Sequence, residues 1–526
     1  MTRLDRPFLG DLFASESTVA GRVAGQRLRS VAALMLIVAL ALSRPLPAPA
    51  APLRAGAAKI DITNLEAGPV NDRLHARALV LQSGDEPLVF VSIDAVAIAE
   101  IGSIRNSFLA NVRAQVEKEL RIPPRGILIN ASHCHGVVCS DIEQRTVEAI
   151  RQAFKNMQPA KVGWGVGHED RIMENRRLRL KNGREADVRH AYSLPHDEEV
   201  ESVGPIDPQI GVLRVDHADG RPLAVLYNFA CHPIQAAASG GNTADVTGFS
   251  SQVIEDNLGD AVVALFVQGC GGDINPVFYK DVDHPRDAEP LGNMLGLSTL
   301  KAIRKIATRD TSTRLIQENL ELPRADLAQR IDGLLAEQTR LLQSLQGTSL
   351  NLKTYLPLAV KYKLNSEFPS YYSHRYLHDR QLGRVDLDKL DADNRRNLEA
   401  YTRNIQTMEQ LTRLQTNLNL LRKHQMQNLD AGKRTVDVEV SGIRIGNFVM
   451  VTFPGELTVQ IGLDIKRRSP HPFTFVAGYT NGYIYYAPTA DQLRNVGGAQ
   501  EDSDCILAPE WQALFDAKVD EILARL

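Results

Sequence analysis

The chain is poor in cysteine, with only Cys134, Cys139, Cys231, Cys270 and Cys505 in 526 residues. That excludes a small disulfide-stapled scaffold, and an odd number leaves at least one thiol without an intramolecular partner. No charge of one sign dominates: 60 Lys+Arg against 63 Asp+Glu gives a formal net charge of -3. Nucleic-acid binders neutralise phosphates with a basic excess, so that class is set aside. Long hydrophobic runs are also missing. A membrane-spanning helix needs about 20 apolar residues, and the run VAALMLIVALAL at 31–42 has 12. Three catalytic signatures are absent as well. There is no G-x-S-x-G elbow, which weakens a serine hydrolase mechanism. There is no H-E-x-x-H, and no glycine loop followed by GKS or GKT, so the common metalloprotease and phosphate-loop arrangements are not used.

What remains is an ordinary globular composition, 44% hydrophobic and 23% charged, in a chain too long for one core. The expectation is a large catalytic body with one sizeable appendage. The 31–42 run follows Arg22, Arg27 and Arg29 and precedes SRPLPAPAAP, with small residues at Ala48–Ala50. This is the pattern of an export signal. Residues 1–50 are therefore expected to be a targeting segment, and the mature protein periplasmic or secreted without a transmembrane span.

Along the rest of the chain, β-rich runs alternate around turns. Hairpins are expected at 78–97 (SGDEP turn), 210–233 (DG turn) and 437–456, with strands at 126–136, 260–276 and 473–489. Helices are expected at 97–122, 145–156 and 291–306. The fold class predicted is α/β, a mixed-sheet core with polar residues gathered at strand ends. Residues 51–306 and 431–526 form the catalytic domain in this reading. Between them, 307–430 carries leucines at helical spacing, such as Leu327, Ile331 and Leu334, then Leu411, Leu414, Leu418 and Leu421. That predicts an inserted antiparallel helical hairpin with an aromatic tip of Phe368, Tyr371, Tyr372 and Tyr376. A dimerisation arm or structural insert is one reading of it, and a lid or lipid-facing surface is the other. The hairpin is not a basic amphipathic stripe of the obvious membrane-binding kind.

Chemistry is carried by residues at the strand ends. In Ser132-His133-Cys134-His135-Gly136 the two histidines are spaced to share one side of an extended segment. His232, before Pro233, ends a second strand, and Glu456 in FPGEL ends a third. Singly these are satisfied polar side chains. Together they supply imidazoles and a carboxylate, the donors a catalytic Zn²⁺ prefers. Cys134 and Cys231 are alternative ligands, although Cys134 should face away from the histidines. Asn275 lies in GGDINP at 271–276, where paired glycines either bring backbone N–H groups to an anionic oxygen or simply make a tight turn. Arg176, in the basic stretch ENRRLRLKNG, belongs either to a solvated face or to a pocket, where it would hold a carboxylate or an oxyanion.

These segments together resemble the neutral/alkaline, non-lysosomal ceramidase family. The motifs are GAAKIDIT at 56–63, ARALVL at 76–81, VSIDAVAI at 91–98, SHCHG at 132–136, NRR at 175–177, GPIDPQIGVL at 204–213, NFACHP at 228–233, GDINP at 272–276, PGELT at 454–458 and NGYIYYAPT at 481–489. The resemblance covers about 56–306 and 431–526. It implies a zinc ion held by His133, His232, Glu456 and Tyr486. It implies further that His135 hydrogen-bonds the metal water or the leaving group and that Arg176 contacts substrate near the scissile amide. In the mechanism expected here, His135 relays a proton while Arg176 and Tyr483 or Asn275 brace the oxyanion. The sequence departs from the family at three points. Asn275 stands where the ceramidases carry Ser, the loop Gly497–Glu501 has no tyrosine, and no C-terminal immunoglobulin-like domain follows, so the match is to a divergent member. The function expected is zinc-dependent amide hydrolysis of an N-acyl lipid such as ceramide. The alternatives are a zinc amidase or esterase for non-lipid substrates, and a non-catalytic metal-containing binding protein. Expected partners are a small-molecule or lipid substrate, a peripheral membrane contact, and a second copy through the helical insert.

Overall fold

The computed structural model describes residues 52–188, 194–237, 240–259, 261–279, 281–369, 372–495 and 498–526. All lie in the unit Pro52–Leu526; the expected targeting segment, Tyr371 and Gly497 fall outside the described residues.

Eight strands form the larger sheet: β1 (Arg54–Asp61), β2 (His75–Gln82), β3 (Leu88–Ile93), β4 (Ile127–Ala131), β5 (Gln158–His168), β6 (Gln209–His217), β7 (Pro222–Phe229) and β8 (Val263–Gln268). Their spatial order is β8-β7-β6-β5-β1-β2-β3-β4. The pairs β3/β4 and β7/β8 are parallel and the other neighbours antiparallel. A second sheet of four, β9 (Thr313–Pro323), β10 (Thr435–Ile445), β11 (Phe448–Thr452) and β12 (Phe473–Ala477), runs in that order. Its one parallel pair is β11/β12.

Alternation along the strands explains how the layers stack, because successive side chains point to opposite faces. Leu79 and Leu81 of β2, Leu213 and Val215 of β6, and Leu265 of β8 pack against Ile443, Met450 and Phe475 of the second sheet. The intervening Ala76, Ala78 and Val80 meet helices α1 (Phe108–Leu120) and α2 (Ile142–Lys155). Val212, Tyr227 and Phe266 meet α3 (Asp245–Leu258) and α4 (Glu289–Ile303). On the far side, Val438, Val440 and Val449 are covered by Trp511, Phe515 and Ile522 of the C-terminal helix Trp511–Arg525. The order of layers is helix, sheet, sheet, helix.

The predicted hairpins are present, and the fold is the mixed α/β architecture expected. Two expectations change. Only Phe108–Leu120 of the stretch 97–122 is helical. The residues before it turn irregularly, with Gly102 at φ +78°, and bury Ala97, Ile98 and Ile104 without helical periodicity. Thr313–Pro323, read as part of the helical segment, is strand β9 and pairs over its full length with β10. The helices of the insert are α5 (Ala328–Ser344), α6 (Leu352–Leu364), α7 (His374–Gln381) and α8 (Asp386–Asp430). Helix α5 folds back along α8 around a small core of Leu341, Leu411, Leu414 and Leu418. At the tip Phe368 packs on Tyr376, ring centroids 5.6 Å apart. No helix among the described residues is long and apolar enough to cross a membrane.

Candidate metal centre

The three parallel strand pairs of the two large sheets end at one place. Beyond β4 comes His133, beyond β7 His232, beyond β11 Glu456, and beyond β12 the run Tyr479–Tyr486. Buried amides tie these ends together. Asn130 donates to the Gly478 carbonyl (2.7 Å) and accepts from the Gln268 N–H (2.9 Å). The Gln268 carboxamide donates to the carbonyls of Cys231 (2.8 Å) and Ser132 (3.4 Å), the residues immediately before the two histidines. The glycine pair reads as a turn. The Gly272 N–H donates to the Leu457 carbonyl (2.9 Å), and a Cβ at Gly272 would lie 2.7 Å from the Glu456 carbonyl, so only glycine lets the two loops approach.

His133, His232 and Glu456 are buried, and their ligand atoms lie within 4.8 Å of one another. His133 Nδ1 is 2.6 Å from the Val96 carbonyl and His232 Nδ1 is 3.0 Å from the Ile274 carbonyl. A carbonyl only accepts, so each Nδ1 carries the proton and each Nε2 presents a lone pair. Those lone pairs face Glu456 Oε2 at 3.6 and 3.1 Å. Burial lowers the His133 pKa to about 4, outweighing the pull of Glu456, so the imidazole is neutral. Glu456 stays ionised. Burial alone would raise its pKa, but hydrogen bonding from the Tyr483 hydroxyl is among the contacts that lower it. Tyr479 donates to its Oε2 (3.0 Å) and Tyr483 to its Oε1. An ionised carboxylate against two imidazole lone pairs is the environment of a cation. The two distances to Glu456 are close to those of such a site, since bonds of about 2.0–2.1 Å in a tetrahedral arrangement put neighbouring donor atoms about 3.3 Å apart. The three residues can coordinate a divalent metal.

The chain leaves β4 at Ala131, and His133 takes φ +70°, a left-handed conformation that costs a residue with a Cβ on the order of 1–3 kcal/mol. The expectation that His133 and His135 share a side of an extended segment is therefore corrected. His133 turns inward and is 3% exposed, while His135 is exposed, its ring 5.7 Å away and edge-on. Both still line one cavity of about 150 Å³, with Arg176, His232, Glu456, Tyr483 and Tyr486. Cys134 is buried in the apolar core, and burial pushes its thiol and that of Cys231 far above their ordinary range. Neither suits a thiolate ligand.

Arg176 is buried, not on a solvated face. Its Nε lies 2.6 Å from Glu501. Its Nη atoms donate to Asn275 Oδ1 (3.1 Å), the Gly272 carbonyl (2.5 Å) and the Tyr486 hydroxyl (3.1 Å). The Tyr486 oxygen is 3.4 Å from His232 Nε2. Asn275, on the short strand Ile274–Pro276, thus meets the site through Arg176. Three contributors were not read from the sequence. Tyr479 and Glu501 are the first two. The third is Lys423 of α8, which lines the cavity with its Nζ 4.5 Å from the Tyr485 ring. Nearby, His424 meets Asp504 at 2.7 Å and Asn417 donates to the Gly498 carbonyl (3.0 Å). The base of the insert is therefore a wall of the cavity.

No protein-family model matches the chain, and no curated protein matches it. Solved structures do. The neutral ceramidase from Pseudomonas aeruginosa aligns with 91% of this chain and 75% of its own, at 17% identity and a TM-score of 0.57. A ceramidase complexed with C2 aligns with 90% of this chain and 75% of its own, again at 17% identity and a TM-score of 0.57. The chain shares its fold with neutral ceramidase, and at the joined strand ends of that fold it carries a buried two-histidine, one-carboxylate group able to hold a metal.

Proposed function

We propose that the protein is a zinc-dependent hydrolase of amide bonds. The observation that carries this reading is the pair of Nδ1-anchored imidazoles facing an ionised Glu456 in an accessible cavity. Tyr486 is the fourth donor in this reading, because its phenol oxygen accepts from Arg176 and lies 3.4 Å from His232 Nε2. A bound Zn²⁺ would polarise an amide carbonyl and lower the pKa of a water. The chain's own residues supply the rest. Glu456 is oriented by the Tyr479 and Tyr483 hydroxyls. His135, exposed on the cavity wall, takes a proton from the attacking water and returns it to the leaving amine. Three of the five Arg176 N–H donors are directed at protein oxygens and its Nε lies against the Glu501 carboxylate, so this guanidinium acts chiefly by holding Tyr486, with an Nη donor left for an oxyanion.

The cavity favours a compact substrate. Pockets for drug-sized ligands span about 300–1,000 Å³. This one holds about 150 Å³, and its lining includes three histidines, Arg176, Lys423, Glu456 and Asp504 against only Val96, Ile101 and Ile234 as aliphatic groups. A short acyl group or polar amine fits beside the metal ligands. The fold likeness favours the second reading, an N-acyl lipid such as ceramide, whose long chains would lie outside this cavity. A panel pairing short N-acyl amides with ceramides of increasing chain length separates the two. Turnover that is lost on chelation and restored by Zn²⁺ is expected, highest on the short amides. Absence of turnover on every amide and ester, with zinc bound, would leave the binding-protein alternative.

A further inference from the structure

We propose that the outer face of α6, at the far part of the insert, docks on an anionic lipid surface. Leu352, Leu356, Val360 and Leu364 recur every fourth residue and are 58%, 53%, 57% and 82% exposed. Single exposed leucines are ordinary, but a stripe of four at constant helical spacing is an unpartnered face. The opposite face is already occupied. Tyr355 stacks on Tyr401 of α8, centroids 4.5 Å apart, and meets the Thr402 hydroxyl at 3.0 Å. The buried Tyr362 donates to Asp391 (2.5 Å). The helix is thus fixed to α8 by its tyrosines and presents its aliphatic residues outward.

Charge indicates what covers that face. In a chain of net charge -3, α6 carries Lys353, Lys361 and Lys363 and no Asp or Glu. Lysine stems beside an aliphatic stripe lie along the apolar region and lift their ammonium groups to its polar edge, the arrangement of a helix lying in a membrane interface. Tyr372, Leu377, Leu382 and Val385, exposed in the segment that follows, enlarge the apolar area. A second copy is a poor occupant. A two-fold contact buries the same patch on both subunits and would bring these lysines together. An anionic bilayer answers both features, with acyl chains for the stripe and headgroups for the lysines. The insert as a whole lacks a basic amphipathic stripe; α6 alone has one.

Vesicle binding is read without turnover, so the proposal stands apart from the hydrolytic reading. The full chain is sedimented with vesicles of phosphatidylcholine alone and of phosphatidylcholine with phosphatidylglycerol, at low and high salt. Binding to the anionic vesicles only, weakened by salt, is expected. It is lost in the Leu356→Glu/Val360→Glu variant and falls about fivefold for each of Lys353→Gln, Lys361→Gln and Lys363→Gln. Unchanged metal content shows that each variant is folded, and the lysine variants keep the test open should the glutamates disturb folding. Absence of binding, equal binding to both vesicle types, or binding indifferent to the variants overturns the proposal. So does a concentration-dependent dimer abolished by the glutamates, which makes the face a self-interface. Equally tight binding to polyglutamate overturns it as well, in favour of an acidic protein partner.

Discussion

Replacing Gln268 with Met should loosen the metal site through two loops at once. The Gln268 carboxamide is fully buried, and its N–H groups reach the carbonyls just before His232 and His133 at 2.8 and 3.4 Å. The first is a well-formed bond and the second is at the limit of one. Methionine keeps the length and bulk but removes the donor, so the Cys231 carbonyl loses its well-formed bond from the amide. An unsatisfied buried polar group costs about 1–3 kcal/mol. Part of that loss falls on the metal, because both imidazoles are aimed by the backbone Gln268 holds. Changes to groups that orient ligands typically weaken metal binding about 10–100-fold. Competition titration with a zinc chelator of known affinity measures this, alongside denaturant unfolding of the metal-free protein. The expected result is a metal Kd raised about 10–100-fold. A variant that loses stability by that amount with an unchanged zinc Kd would refute the reasoning, since Gln268 would then support the core and not the ligands.

Three further outcomes follow from the same geometry. At saturating zinc, His133→Ala should lose the metal, whereas His135→Ala keeps it and loses turnover about 10²–10⁴-fold; zinc occupancy and kcat of both variants decide, and the reverse pattern would exchange their roles. Glu501→Ala leaves the buried Arg176 guanidinium without its carboxylate 2.6 Å away and should destabilise the protein by about 3–5 kcal/mol, measured by denaturant unfolding. His75 sets a pH dependence away from the site: burial, then Arg77 and Lys59, lower its pKa from 6.5 to about 3. The unfolded chain therefore binds a proton that the folded chain refuses, so stability is full above pH 6.5 and is lost as pH falls toward 3, with a slope approaching about 1.4 kcal/mol per pH unit from this one group. His75→Gln should flatten that part of the stability profile.

The sequence showed the site's donors more clearly than their arrangement. His232 and Glu456 stand directly after apolar β-runs, a local signal that survives folding. The hairpins were legible because alternation and turn residues lie within one stretch of chain. Strand β9 was not, because Thr313–Pro323 earns its conformation from β10, more than a hundred residues later. His133 and His135 looked equivalent because spacing carries no information about a positive φ. Tyr479 was one tyrosine among several in a run that already suggested Tyr483 and Tyr486. Glu501 lies on a loop with no pattern to mark it, and its partner Arg176 is buried by elements far apart in the chain. Lys423 was hidden for a different reason. It sits on a helix whose leucines point to a hairpin core, and only the tertiary fold brings the base of that hairpin to the cavity.

The most direct test of the metal-centre account is elemental analysis of the protein purified without added metal, beside the His133→Ala/His232→Ala variant prepared in the same way. The account predicts about one zinc per wild-type chain, none in the folded double variant, and amide hydrolysis that rises and falls with zinc occupancy. Stoichiometric zinc retained by the double variant, or full hydrolysis in a rigorously metal-free preparation, would contradict it.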